Sequence, residues 1–260
     1  MKNKRISILI ICAVFVVTLV CSAVSLFSVK EVRAEFSVAR RGEDSEKTYQ
    51  ALQNFKGVNL LFFNTDEIKK AVEENPYMQV TEIKKSYPNA IDVKIVERRE
   101  IYLLSVDGKF YVADERGVVL KRISENEASS YGNVIRLSTD KLNINAPVLG
   151  SRLSSDSDET LYGAFALTEK VKLTDCIKNM KIVRYFDGEW HYDVRFETYS
   201  GVTVVIKKAE TRGEEKIVSA FTSYDEEKND YIKSRDYIMA YEEELHDKLI
   251  ILWTDRDGGV

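Results

Sequence analysis

The residue types that most often carry chemistry are sparse here and poorly arranged for it. The chain has two histidines, His191 and His246. No H-E-x-x-H, no G-x-S-x-G and no phosphate-cradling glycine loop occurs, and an exported hydrolase would need such a constellation. Acidic pairs such as Asp156 with Asp158 and Asp255 with Asp257 could in principle share acid and base roles. In a chain with 42 acidic residues, however, they read as solvated surface. The three cysteines are Cys12, Cys21 and Cys176. Cys12 and Cys21 fall in one apolar stretch on opposite faces of a helix, at ~100° per residue, and Cys176 is left alone to be buried as a small hydrophobe. Thiol chemistry and cysteine-ligated metal are thereby excluded. No catalytic, cofactor-binding or metal-binding residue is assigned, and the chain reads as a non-enzyme.

Charge and length set what such a chain can be. Thirty-eight basic residues against 42 acidic ones give a net charge of −4, and the first 27 residues hold only basic charge, so the body is more acidic still. Such a body repels phosphate, which argues against nucleic acid as a partner. At 260 residues, with 44% hydrophobic and 31% charged residues and three prolines, the chain can fold as one large or two small units plus an accessory segment.

The accessory segment is residues 6–27, ISILIICAVFVVTLVCSAVSLF, with no charge and no proline. At ~1.5 Å per residue it would span roughly 33 Å, against a hydrocarbon core of about 30 Å. It is expected to be a retained single transmembrane helix, the rival readings being a signal peptide cleaved at the small residues Ala23-Val24-Ser25 and a lipoprotein signal ending at Cys21, where Val20 stands in place of the small residue required. Residues 1–5 are too few to fold, and a long following domain is translocated largely regardless of its charge, so the N-terminus is expected inside and the body outside. Ser7, Thr18 and Ser22 are expected to bond back to their own helix backbone.

The body then divides. Ser28–Ser37 has the pattern of a strand, and Asp44–Phe55 that of a helix stopped by Gly57. Asn64 with Glu67 reads as a capping box opening a helix that buries Ile68, Ala71 and Val72 and ends at Pro76. Phe62 and Tyr77 are expected in the core. Strands Met78–Tyr87 and Ala90–Val96 follow, joined at Pro88-Asn89, with Ile91, Val93 and Ile95 alternating. Beyond Arg99 come strands with turns at Asp107-Gly108, Asp187-Gly188 and Ser200-Gly201, interrupted by helices at Asp156–Lys172 and Glu214–Tyr224. Lys233–Trp253 reads as helix or strand, with two strands favoured by the apolar run Leu249–Trp253.

This order and wording resemble the FtsQ/DivIB family of bacterial cell-division proteins. The resemblance is carried by Asn59-Leu60 leading into Asn64, by Asn75-Pro76-Tyr77, and by Tyr87-Pro88 followed by Ile91-x-Val93-x-Ile95-x-Glu97-Arg98. Tyr111–Val119 adds an apolar strand ending in Asp114-x-x-Gly117, and Gly150-x-x-Leu153 adds a turn. Glu100 stands where the family usually has proline. The family implies an α+β fold: a single transmembrane helix, a βααββ POTRA domain at 28–98, a mostly antiparallel β domain with a few helices at 99–253, and a tail at 254–260. It also implies a non-enzymatic scaffold in the bacterial inner membrane at the division septum, which binds FtsL and FtsB or DivIC and helps regulate septal peptidoglycan synthesis without any cofactor. By order, the partner-binding residues fall at Tyr241 and Trp253, on strands that could accept a partner strand at a sheet edge; the alternative is that both are ordinary core aromatics. From a different class, an anchored extracytoplasmic sensor or ligand-binding domain would need a pocket of convergent polar groups.

Overall fold

The computed structural model describes residues 11–18, 22, 24–37, 42–171, 174–226, 235–243 and 248–255. They fall into two compact units, Met1–Arg98 and Arg99–Val260. Residues 11–18 and 24–26 are helical, and residues 1–10, 19–21 and 23 lie outside the described residues. No helix among the described residues is long and apolar enough to cross a membrane. The Thr18 hydroxyl donates to the Val14 carbonyl and that of Ser22 to the Thr18 carbonyl, both at 2.8 Å, so these two hydroxyls bond back as expected. Ser7 lies outside the described residues.

In the first unit β1 is Glu31–Phe36, α1 Gly42–Gln53, α2 Asp66–Glu73, β2 Met78–Ser86 and β3 Ala90–Glu97. β3 is central, parallel to β1 and antiparallel to β2. Its alternation buries Ile91, Val93 and Ile95 against Val32, Leu52, Ile68 and Val72, as a half-buried strand requires. Two local readings change. The N-cap of α2 is Thr65 rather than Asn64, with no side-chain cap bond; Asn64 Oδ1 instead accepts from the Asp66 N–H at 3.0 Å, a turn that precedes the helix. Tyr77 is buried, but Phe62 is 85% exposed, against the expectation that both pack inside.

The second unit is built on a nine-stranded sheet in the order β12-β11-β10-β9-β8-β7-β4-β5-β6. The strands are β4 Tyr102–Val106, β5 Lys109–Ala113, β6 Val119–Ile123, β7 Ile135–Asp140, β8 Ile177–Phe186, β9 Trp190–Thr198, β10 Thr203–Ile206, β11 Arg235–Glu243 and β12 Lys248–Asp255. Between them lie α3 Glu125–Ser130, α4 Asp158–Glu169 and α5 Gly213–Glu226. Antiparallel pairs predominate, but β7 is parallel to both β4 and β8, and β10 is parallel to β11. Each parallel step has a helix in its connection, because the chain must cross over to re-enter the sheet in the same direction. The Asp107-Gly108 hairpin forms as expected, with φ positive at both residues. The β8–β9 loop has three residues, Asp187 to Glu189, rather than two.

Helices α4 and α5 cover one face of this sheet, burying Leu161, Phe165, Ile217 and Phe221 against Tyr102, Leu104, Met180 and Phe196. On the other face α3 packs Ala128 over Leu103, Val112 and Val134. β4 is therefore buried on both sides, and its run of adjacent apolar residues follows from that. Helix α3 has no apolar periodicity, and only its capping box, Ser124 with Glu127, marks it in sequence. Glu100 pairs with Lys121 at 3.2 Å and accepts from the Tyr131 hydroxyl.

Candidate partner-docking edge

Among the described residues the sheet ends at β12, which pairs with β11 alone. Position along this edge is set from the interior outward. β10 is anchored by α5: Lys216, buried in that helix, donates from Nζ to the Lys207 and Lys208 carbonyls at 3.0 and 3.2 Å. These are the carbonyls that leave the end of β10. Phe221 packs edge-to-face on Phe196 with ring centroids 5.6 Å apart, and the Ser200 and Tyr224 hydroxyls are hydrogen-bonded at 2.9 Å.

On the same segment Lys207 Nζ donates to Asp193 Oδ2 at 2.7 Å and the Lys208 N–H to Asp193 Oδ1 at 3.0 Å. The Asp193 side chain is 2% exposed, so its charge depends on these donors. Two tyrosines sit beside this acidic cluster. Burial, then the neighbouring Asp193, pushes the Tyr185 hydroxyl up to about 12. Burial, then Glu210, does the same for Tyr192. Glu210 also accepts from the Tyr192 N–H at 3.2 Å and contacts His191 Nδ1 at 2.5 Å. The histidine and acids here brace strands around β9 and β10.

β11 is laid on this base. It runs parallel to β10 with Val204 opposite Ile238 and Ile206 opposite Ala240, and Ile238 and Ala240 are buried in the main core. β12 then returns antiparallel, with Tyr241 opposite Ile250 and Ile238 opposite Trp253. The described residues of this segment form two strands. Tyr241 and Trp253 thus lie on neighbouring terminal strands, but three register steps apart, roughly 10 Å along the strand. They are not a cross-strand pair.

The remaining candidates from the sequence have structural roles. Asp156 holds Asn143 by two hydrogen bonds at 3.0 and 3.2 Å, and Asp158 Oδ1 accepts from the Ser155 N–H at 2.7 Å. Cys176 is half-buried against the main core. His246 and Asp257 lie outside the described residues. Among the described residues no three of His, Cys, Asp and Glu are grouped to hold a metal ion. A cleft of about 400 Å³ is lined by Ile101, Val134, Ile135 and Ile177 with the polar Asn133, Asp175 and Tyr199. The tip of the β8–β9 hairpin exposes Phe186 and Trp190, with the Arg184 guanidinium 4.0 Å from the Trp190 ring centroid. No sequence pattern singled out that aromatic tip.

Comparison with known proteins adds to this geometry. Residues 42–98 match the POTRA domain, FtsQ-type. The cell division protein DivIB of Clostridium tetani is 31% identical over 102 residues, covering 39% of this chain and 37% of its own. DivIB of Clostridium acetobutylicum is 24% identical over 140 residues, 53% of this chain and 52% of its own. The cell division protein FtsQ of Anaeromyxobacter sp. is 35% identical over 66 residues, 25% of this chain and 22% of its own. The chain spans about half the length or less of these curated relatives. From α1 to the end of β3 the first unit thus matches the FtsQ-type POTRA domain, and the chain is similar over part of its length to cell division proteins named DivIB and FtsQ.

Proposed function

We propose that the protein is a non-enzymatic scaffold of the division site, and that the open end of its sheet at β12 is where a partner docks. Residues 6–27 anchor it in the bacterial inner membrane, with residues 1–5 in the cytoplasm and residues 28–260 outside. The POTRA domain occupies 28–98, the β domain 99–253 and a tail 254–260. The partners are single-span proteins of the FtsL and FtsB/DivIC type, and through them the chain helps regulate septal peptidoglycan synthesis. One observation carries the reading: in a chain whose relatives are cell-division proteins, the terminal strand pairs on one side only among the described residues. Such an edge offers backbone donors and acceptors to an incoming strand. Tyr241 and Trp253 are the proposed aromatic anchors of that contact.

A fluorescently tagged chain should gather at mid-cell, and protease added to spheroplasts should remove a C-terminal tag. Uniform membrane fluorescence, or a protected tag, would contradict the proposal. A ligand-binding reading would rest on the cleft beside Asn133, Asp175 and Tyr199. Saturable small-molecule binding lost on Asp175→Ala would favour it over the scaffold.

A further inference from the structure

Between buried Leu60 and buried Phe63 the chain makes a tight turn that pushes two apolar residues outward, Leu61 at 43% and Phe62 at 85% exposure. The turn is fixed by Asn59, whose side-chain Oδ1 accepts from the Leu61 N–H at 3.0 Å and whose carbonyl accepts from the Phe62 N–H at 3.2 Å. Phe62 is more exposed than Ile11 or Phe15 of the apolar N-terminal helix, at 67% and 64%. Leu61 and Phe62 together form an apolar surface held outward by an ordered turn, the kind of patch that marks an interaction site when it is extended by its neighbours.

The partner is indicated by what else meets this turn. The Leu60 N–H donates to the Phe27 carbonyl at 2.7 Å, and Phe27 is the last residue of the charge-free stretch 6–27. Ser28 bridges to Asn59 in the same place. The Phe27 ring lies against Tyr87, itself 59% exposed, with centroids 6.1 Å apart. Cations flank the group: Lys85 Nζ donates to the Phe63 carbonyl at 2.7 Å, and the exposed Lys30 donates its N–H to Asn89, two residues from Tyr87. Aromatic rings with amphipathic lysines at the end of an apolar helix are the composition of a membrane–water boundary.

We propose that Phe27, Leu61, Phe62 and Tyr87 form a foot by which this domain sits in the headgroup region of the bilayer, resting on the reading that residues 6–27 span it. The occupant of this face is lipid. The foot sets the height and tilt of the domain above the membrane, and Lys30 and Lys85 meet the anionic headgroups.

The test uses the full chain in vesicles of phosphatidylethanolamine and phosphatidylglycerol, with Trp190→Phe and Trp253→Phe removing the native fluorescence. Phe62→Trp reports on the foot and Phe15→Trp on the span; both positions are exposed, so neither change disturbs a core. Quenching is read with lipids spin-labelled either near the headgroup or near the terminal methyl. Strong quenching of the Phe15→Trp reporter by the deep label, together with quenching of the Phe62→Trp reporter mainly by the shallow label and a blue-shifted emission, supports the foot. A quenched Phe15→Trp reporter beside an unquenched Phe62→Trp reporter overturns the foot and leaves the anchor standing. Deep quenching at position 62 also overturns it. If neither reporter is quenched, the anchor fails and the foot fails with it.

Discussion

Gly117 lies so close to the Phe165 ring that a β-carbon on it would stand 2.4 Å from Phe165 Cε2. Its φ of +78° is one that side chains rarely adopt. The turn around it is drawn tight by Asp114, whose Oδ1 accepts from the Arg116 and Val118 N–H groups at 2.9 and 2.7 Å. The Leu153 N–H donates to the Gly117 carbonyl at 2.8 Å, and the Gly150 N–H to that of Val119 at 2.8 Å. Asp114-x-x-Gly117 and Gly150-x-x-Leu153, separate in sequence, are therefore one paired structure seated on α4.

Gly117→Ala should accordingly destabilise the protein by roughly 2–5 kcal/mol, combining the left-handed backbone cost with overpacking against Phe165. Gly108→Ala is the control. Gly108 also has positive φ, but nothing lies within 4 Å of its added carbon, so it should lose only about 1–2 kcal/mol. Equal shifts of the two urea midpoints would show that Phe165 moves aside without cost.

Lys207 and Asp193 make an asymmetric pair, the lysine side chain 36% exposed and the aspartate 2%. Lys207→Met strands a buried carboxylate and should cost about 3–5 kcal/mol. Asp193→Asn leaves a lysine that can turn to water and should cost less. Chemical denaturation of the two variants checks the order, and a reversed order would mean that the cation is what the fold needs there.

Alkaline pH should unfold the β domain partly through Tyr185 and Tyr192. Both hydroxyls are pushed up from 10.0 to about 12, so folding favours their neutral form. Their contribution is complete below pH 10.0 and is lost as pH rises through about 12. Tyrosinate absorbance in the folded protein should lag behind that of the denatured chain over this range, with thermal stability falling across it. Simultaneous titration of all fourteen tyrosines near the ordinary value would contradict the assignment.

Local signals carried the first unit: the alternation of Ile91, Val93 and Ile95 and the breaks at Gly57 and Pro76 each act within a few residues. The β-α-α-β-β order could be read from them. The parallel pairing of β7 with β4 and β8 joins segments far apart in sequence, and no local pattern encodes it. Phe62 misled because Leu60-Leu61-Phe62-Phe63 reads as a core run; the Asn59 turn decides which of the four face inward. At the terminal strands the assignment of Lys233–Trp253 rested on an apolar run and on order, and the register then separated Tyr241 from Trp253. A composition alone cannot fix that spacing.

Docking of a partner at the terminal strands, as proposed, is decided by the binding of FtsL- and DivIC-type proteins to the Tyr241→Ala chain. The fold is monitored beside Ile95→Ala, a buried truncation in β3 expected to cost about 2–5 kcal/mol of stability. Tyr241→Ala should melt close to the parent yet bind more weakly by roughly 2 kcal/mol or more, about 30-fold in Kd. A folded Tyr241→Ala protein that binds both partners with unchanged Kd would contradict it.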